Sequence, residues 1–118
     1  MREIKFMWWC YLEEKMTGPW TLENILRNDG EWHSDLEGVF LQYTGLKDKN
    51  GKEIYEGFII EMEGWEPKRN IVGFANGGFG FKNSMSDYYH SDISYVETSR
   101  GNAATVIGNI YENPDLLK

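Results

Sequence analysis

Histidine, cysteine and carboxylate side chains are where chemistry would begin in this chain. The two histidines sit in a repeated tripeptide, His33-Ser34-Asp35 and His90-Ser91-Asp92. Two His-x-Asp pairs could offer nitrogen and oxygen ligands to a divalent metal, with His33, Asp35, His90 and Asp92 as donors. Ser and Asp are also ordinary turn and cap residues, and three-residue coincidences are common. The repeat therefore assigns no metal. Cys10 is the single cysteine, and it would need a histidine partner to act as a nucleophile. By strand period it falls on the side of Ile4, Phe6 and Trp8, where a buried, inert thiol is the better account. Glu13-Glu14 and Glu61/Glu63 offer carboxylate pairs of the kind glycosidases use, but solvated faces explain them better. Gly77-Gly78-Phe79-Gly80 lacks the strand-to-helix setting of a phosphate loop. No catalytic or cofactor-binding set emerges, and the expectation is a non-enzyme without cofactors.

Aromatic residues are the real peculiarity: five Trp, seven Tyr and six Phe, 15% of the chain. Rings on one face of a small barrel can stack nucleotide bases, but that role also needs a positive groove. The formal charge is −7, from 19 acidic against 12 Lys and Arg residues. Phosphate-backbone binding is therefore disfavoured as the main activity. Core packing and protein contacts use aromatics equally well. Trp8, Phe58, Trp65, Tyr88 and Tyr89 are the candidates for a protein-contact surface.

The elements that position these residues are mostly strands. Ile4, Phe6 and Trp8 alternate with Lys5, Met7 and Trp9, which is strand period. Thr17-Gly18-Pro19 should break that strand. Thr21 can cap a short helix, Leu22 to about Arg27, with Leu22, Ile25 and Leu26 on one stripe, and Asn28-Asp29-Gly30 ends it. Val39–Leu41 starts a second extended run that ends near Tyr43. Asp48-Lys49-Asn50-Gly51 is the strongest turn signal, and Glu56-Gly57 is another. Phe58–Met62 and Asn70–Ala75 read as strands. Asn76-Gly77-Gly78 reverses the chain into Phe79–Lys82, a hairpin. Residues 83–92 are polar and irregular. Ile93–Thr98 and Ala104–Ile110 are extended, and Asn113-Pro114-Asp115 opens a final helical turn. Five to seven short strands and one helix predict a mainly β fold, a small antiparallel barrel of SH3-like or similar type, in one domain spanning 1–118. Gly73 and Gly80 would mark its sharp bends.

The chain lacks a long apolar h-region and any run that could span a membrane. One cysteine fits a reducing compartment. The expectation is a cytoplasmic protein.

Two segments resemble the YopX family of small bacteriophage and prophage proteins. They are Leu41-Gln42-Tyr43-Thr44-Gly45-Leu46-Lys47-Asp48-Lys49-Asn50-Gly51-Lys52-Glu53-Ile54-Tyr55-Glu56-Gly57 and Val106-Ile107-Gly108-Asn109-Ile110-Tyr111-Glu112-Asn113-Pro114-Asp115-Leu116-Leu117. The opening Arg2-Glu3-Ile4-Lys5-Phe6 also fits, with Trp9 at the family's usual tryptophan. The resemblance implies a mainly β fold of barrel character with a tendency to oligomerise in a bacterial host. It implies no established activity and no site residues. Two departures stand out. Phe6-Met7-Trp8-Trp9-Cys10 replaces the usual Phe-Arg-Ala-Trp-Asp, and Phe58 stands where an Asp usually follows Glu-Gly. Both exchange polar for large apolar groups, through a repacked core or, as the weaker alternative, a protein-facing surface. The charged loop Lys47–Lys52 reads as a fold-defining turn in solvent over Tyr43 and Tyr55, ahead of a recognition loop. The functional expectation is an accessory protein that contacts itself and a host or phage protein. The alternatives are an acidic inhibitor of a host nucleic-acid-binding protein and a weak single-stranded nucleic-acid binder.

Overall fold

Short runs of apolar residues, several of them closed by glycine or asparagine turns, give ten strands among the described residues of the computed structural model. It describes residues 3–27, 37–64, 67–75, 78–83, 97–98, 101–102 and 104–117. In chain order these are β1 (Lys5–Cys10), β2 (Lys15–Thr21), helix α1 (Leu22–Arg27), β3 (Gly38–Lys47), β4 (Glu53–Tyr55) and β5 (Phe58–Met62). There follow β6 (Arg69–Ala75), β7 (Gly78–Lys82), β8 (Glu97–Thr98), β9 (Gly101–Asn102), β10 (Ala104–Asn109) and a 3-10 turn, Pro114–Leu117.

The strands form two four-stranded antiparallel sheets, ordered β2-β1-β3-β4 and β10-β5-β6-β7, and a small β8-β9 hairpin. The expected mainly β, antiparallel fold with one short helix is present, but among the described residues the two sheets are not closed into a barrel, so the barrel and SH3-like detail is not borne out. β4 has only three residues. Beyond it, the β3–β4 turn reaches β10 through one backbone bond, Lys49 N–H to the Ala104 carbonyl (3.0 Å), and through the Asp48 side chain, not through a continuing ladder.

Thr17-Gly18-Pro19 does not end a strand. It lies within β2, and the reversal comes earlier, between Cys10 and Lys15. β2 is an edge strand, where a residue without an N–H is tolerated. The pairing slips between Phe6 and Trp8 to accommodate it. Helix α1 starts as its sequence predicts: Thr21 Oγ1 accepts the Asn24 N–H (3.1 Å), and Asn24 Oδ1 accepts the Thr21 N–H (3.0 Å). This reciprocal cap satisfies donors that a helix start leaves over. Its apolar stripe is only partly used: Ile25 packs on Trp8 and Cys10, while Leu22 and Leu26 stay exposed.

Among the described residues, three apolar clusters form the interior. Ile54, Ile60, Met62, Val72, Phe81 and Ala104 fill the interior of the second sheet and take in β4. Leu41, Tyr43, Tyr55 and Phe58 sit against Met7, Val39 and Tyr111 between the sheets. Trp8 and Cys10 pack on the other face of β1 with Trp20, Ile25 and Phe40. Full burial of a side chain such as Ile60 or Phe81 contributes about 1.5–3 kcal/mol. The Glu56-Gly57 turn joins the sheets: the Gly57 N–H donates to the Val72 carbonyl (2.7 Å), and its carbonyl accepts the Ile110 N–H (2.9 Å). Gly57 has φ +84° and faces the Tyr111 ring, so a side chain there would be strained and crowded.

Among the described residues no helix is long and apolar enough to cross a membrane.

Candidate functional site: an acidic pocket walled by Trp9 and Tyr111

The end of β10 is built around one buried amide. Asn109 is 7% exposed. Its Oδ1 accepts the N–H groups of Tyr111 (3.0 Å) and Glu112 (2.8 Å), and its Nδ2 donates to Glu112 Oε1 (2.9 Å). Its backbone N–H donates to Asn113 Oδ1 (3.2 Å), and its carbonyl accepts the Asn113 N–H (2.9 Å). One side chain thus folds the turn that displays Tyr111 and orients the Glu112 carboxylate. Arg69 anchors the following 3-10 turn, donating from Nη1 to the Leu116 carbonyl (2.8 Å). Gly108 is required beneath it, because a Cβ there would meet Asn113 Oδ1 and Leu116.

Tyr111 stacks on Trp9 of β1, with ring centroids 5.6 Å apart and planes 26° apart, and Tyr11 adds a tilted ring at 6.4 Å. Glu14, in the β1–β2 reversal, holds a positive φ of 51°, uncommon outside glycine. Trp9, Glu14, Tyr111, Glu112, Pro114 and Asp115 line a cavity of about 450 Å³. The lining combines two aromatic residues with three acidic ones, and none of the described lining residues is Lys or Arg. A smaller cavity of about 230 Å³ is lined by Val39, Leu41, Ile71, Phe74 and Tyr111, with Glu56 as the one carboxylate among its described lining residues.

The charged turn contrasts with this pocket. Asp48, 5% exposed, accepts the N–H groups of Asn50 and Lys52 at Oδ1 (both 2.9 Å) and of Val106 at Oδ2 (2.9 Å). Burial alone would push its carboxyl up. The three backbone donors, Val106 foremost, and the Lys52 charge outweigh that, so the group is held below the ordinary carboxylate value. Only Gly51 of the Asn-Gly pair takes a positive φ. Lys49 reaches Glu63 (2.6 Å) in an exposed pair. The reading of Lys47–Lys52 as a fold-defining turn fits this geometry, and Tyr43 and Tyr55 are buried as that reading expects. Lys5 lies over the Tyr43 ring (4.9 Å) and pairs with Glu53, which also accepts the Tyr55 hydroxyl proton (3.1 Å). The Glu53 bond keeps the Lys5 ammonium charged to higher pH than usual, and burial followed by Glu53 pushes Tyr55 up.

The residues singled out from sequence fall elsewhere. Trp8 and Phe58 are 7% and 8% exposed, both packed in apolar clusters, which is the repacked-core alternative. Trp8 Nε1 is a buried donor without a hydrogen-bond partner. Trp65, Tyr88, Tyr89, His33, Asp35, His90 and Asp92 lie outside the described residues. Cys10 is buried at 2% exposure on the Trp8 side, where strand period put it. Glu61 pairs with Arg69 and Glu63 with Lys49. Among the described residues no group of three or more His, Cys, Asp or Glu could hold a metal ion. Sequence reasoning missed Asp48 as a junction and Glu14, Tyr111, Glu112 and Asp115 as a rim. The available signal was Gly108-Asn109 ahead of Tyr111-Glu112-Asn113-Pro114, a dense set of turn formers carrying an aromatic and an acid.

A family model described as "YopX protein" matches residues 4–118. No curated protein matches the chain. Among solved structures, the crystal structure of protein EF1440 from Enterococcus faecalis is similar, with a TM-score of 0.64 and 24% identity over 100% of both chains. That likeness concerns the fold.

Proposed function

The chain belongs to the YopX family, and from that premise we propose that it is a non-enzymatic protein-contact module of a bacteriophage or prophage. It associates with itself and with a host or phage protein in the bacterial cytoplasm. The observation that carries this reading is the set of large apolar side chains left in solvent. Leu12 is 75% exposed and Leu26 77%, with Leu22 one helical turn from Leu26, and Tyr11, Ile4 and Phe74 about half exposed. Apolar groups in such number on a small chain support protein contacts. Size-exclusion chromatography with light scattering tests the reading. A particle heavier than one chain, reduced to one chain by Leu22→Gln with Leu26→Gln, supports it. A single-chain mass at high concentration counts against it.

A second reading, an acidic inhibitor of a host nucleic-acid-binding protein, is favoured by the carboxylates of Glu14, Glu112 and Asp115 gathered at one cavity. Such a surface steers towards basic partners and does so less at high salt. Binding to a purified basic DNA-binding protein that is lost as salt rises supports it, and salt-independent binding opposes it.

A further inference from the structure

We propose that helix α1 is a cover that lifts from the first sheet while the rest of the fold stays intact, opening Trp8 and Cys10 to solvent. Floor and cover are held very differently. Trp8 and Cys10 lie on β1, which is paired on both sides, with β2 and with β3. Trp20 of β2 and Phe40 of β3 pack beside them, the Phe40 ring tilted against Trp8 with centroids 4.8 Å apart. Gly38 of β3 lies so close to the Trp8 ring that a Cβ there would collide with it. None of these contacts needs α1.

The cover is slight. Helix α1 has six residues, and none of them is fully buried. Isolated helices below roughly 12–15 residues are marginal in water, so packing has to hold this one. Ile25 packs on Trp8 and Cys10, while Leu22 and Leu26 are exposed. The other ties face solvent: the reciprocal Thr21–Asn24 cap and the Glu23–Arg27 pair (2.8 Å). An exposed ion pair of this kind adds little. The floor itself favours opening. Trp8 Nε1 is buried without a hydrogen-bond partner, an unfavourable state that entering water would end. Segments held by few buried apolar contacts open at less cost than the whole fold. Lifting α1 makes an aromatic face and a thiol reachable that are closed off at 7% and 2% exposure when it is down.

Cys10 is the chain's one cysteine, so a thiol reagent reads the opening directly. The test is labelling of the whole chain by N-ethylmaleimide, in dilute solution across a urea series, followed by mass. Below the unfolding transition the rate should be nearly independent of urea and roughly tenfold or more above what global unfolding allows. Thr21→Ala removes the cap and should speed labelling without urea about fivefold. Val72→Ala, in the cluster of the second sheet, lowers global stability and should leave that rate unchanged. A rate that tracks global unfolding across the whole urea series overturns the proposal. So does a Thr21→Ala rate equal to that of the natural chain, or acceleration by Val72→Ala in step with its loss of stability.

Discussion

Asp48 and Glu112 are both turn carboxylates in the family's two signature segments, and they are used in opposite ways. Asp48 is buried and takes three backbone N–H groups, one of them from β10 some way along the chain. Glu112 is exposed, takes one amide donor from Asn109 and borders an aromatic cavity. The first carboxylate holds two sheets in register. The second is held in place by other groups and presents its charge outward. A turn rich in charged residues is therefore not a recognition surface by composition alone. What decides is where the carboxylate oxygens point and whether backbone donors already satisfy them.

The sharpest way to break this contrast is to remove both carboxylates separately. Asp48→Ala strands buried N–H groups, including that of Val106, and should cost about 3 kcal/mol in urea unfolding. Glu112→Gln at the pocket rim keeps an oxygen acceptor for Asn109 Nδ2 and should stay within about 0.5 kcal/mol. Similar costs at the two sites would erase the distinction.

Acid titration sharpens it further. The Asp48 carboxyl is depressed in the folded chain, so its contribution is complete above the ordinary unfolded value of about 4 and is lost as pH falls through the lower folded value. The stability gap between the natural chain and Asp48→Asn should hold steady from neutral pH down to about 5 and then close. A gap that persists in acid would show that Asp48 does not act as a charged acceptor.

Smaller effects follow from the surrounding pairs. Lys5→Met removes the pairing with Glu53 and the contact over Tyr43, and should cost about 1 kcal/mol by thermal melt. Glu63→Gln, at an exposed pair with Lys49, should leave the melt unchanged.

The strand pattern was largely legible in the sequence because alternation and turn residues act locally. β1, β5, the β6–β7 hairpin and the Thr21 cap needed nothing beyond neighbouring residues. Thr17-Gly18-Pro19 misled because an edge strand tolerates what a central strand does not, and edge position is a property of the assembled sheet. Closure into a barrel was likewise invisible. It depends on whether β4 and β10 continue a ladder, and a side chain and one backbone bond meet there instead. The pocket joins Trp9 and Glu14 to Tyr111, Glu112 and Asp115 from nearly the opposite end of the chain, so no local window contains it. Trp8 and Phe58 showed as large rings, but type alone could not tell interior from surface.

The most direct measurement of the central claim, that this chain works by contact between proteins, is its mass in solution by light scattering across a concentration series. The account predicts particles of two or more 13.8 kDa chains, falling to one chain when Leu22 and Leu26 are both changed to glutamine. A single-chain mass throughout, at concentrations where a weak dimer would form, would contradict it.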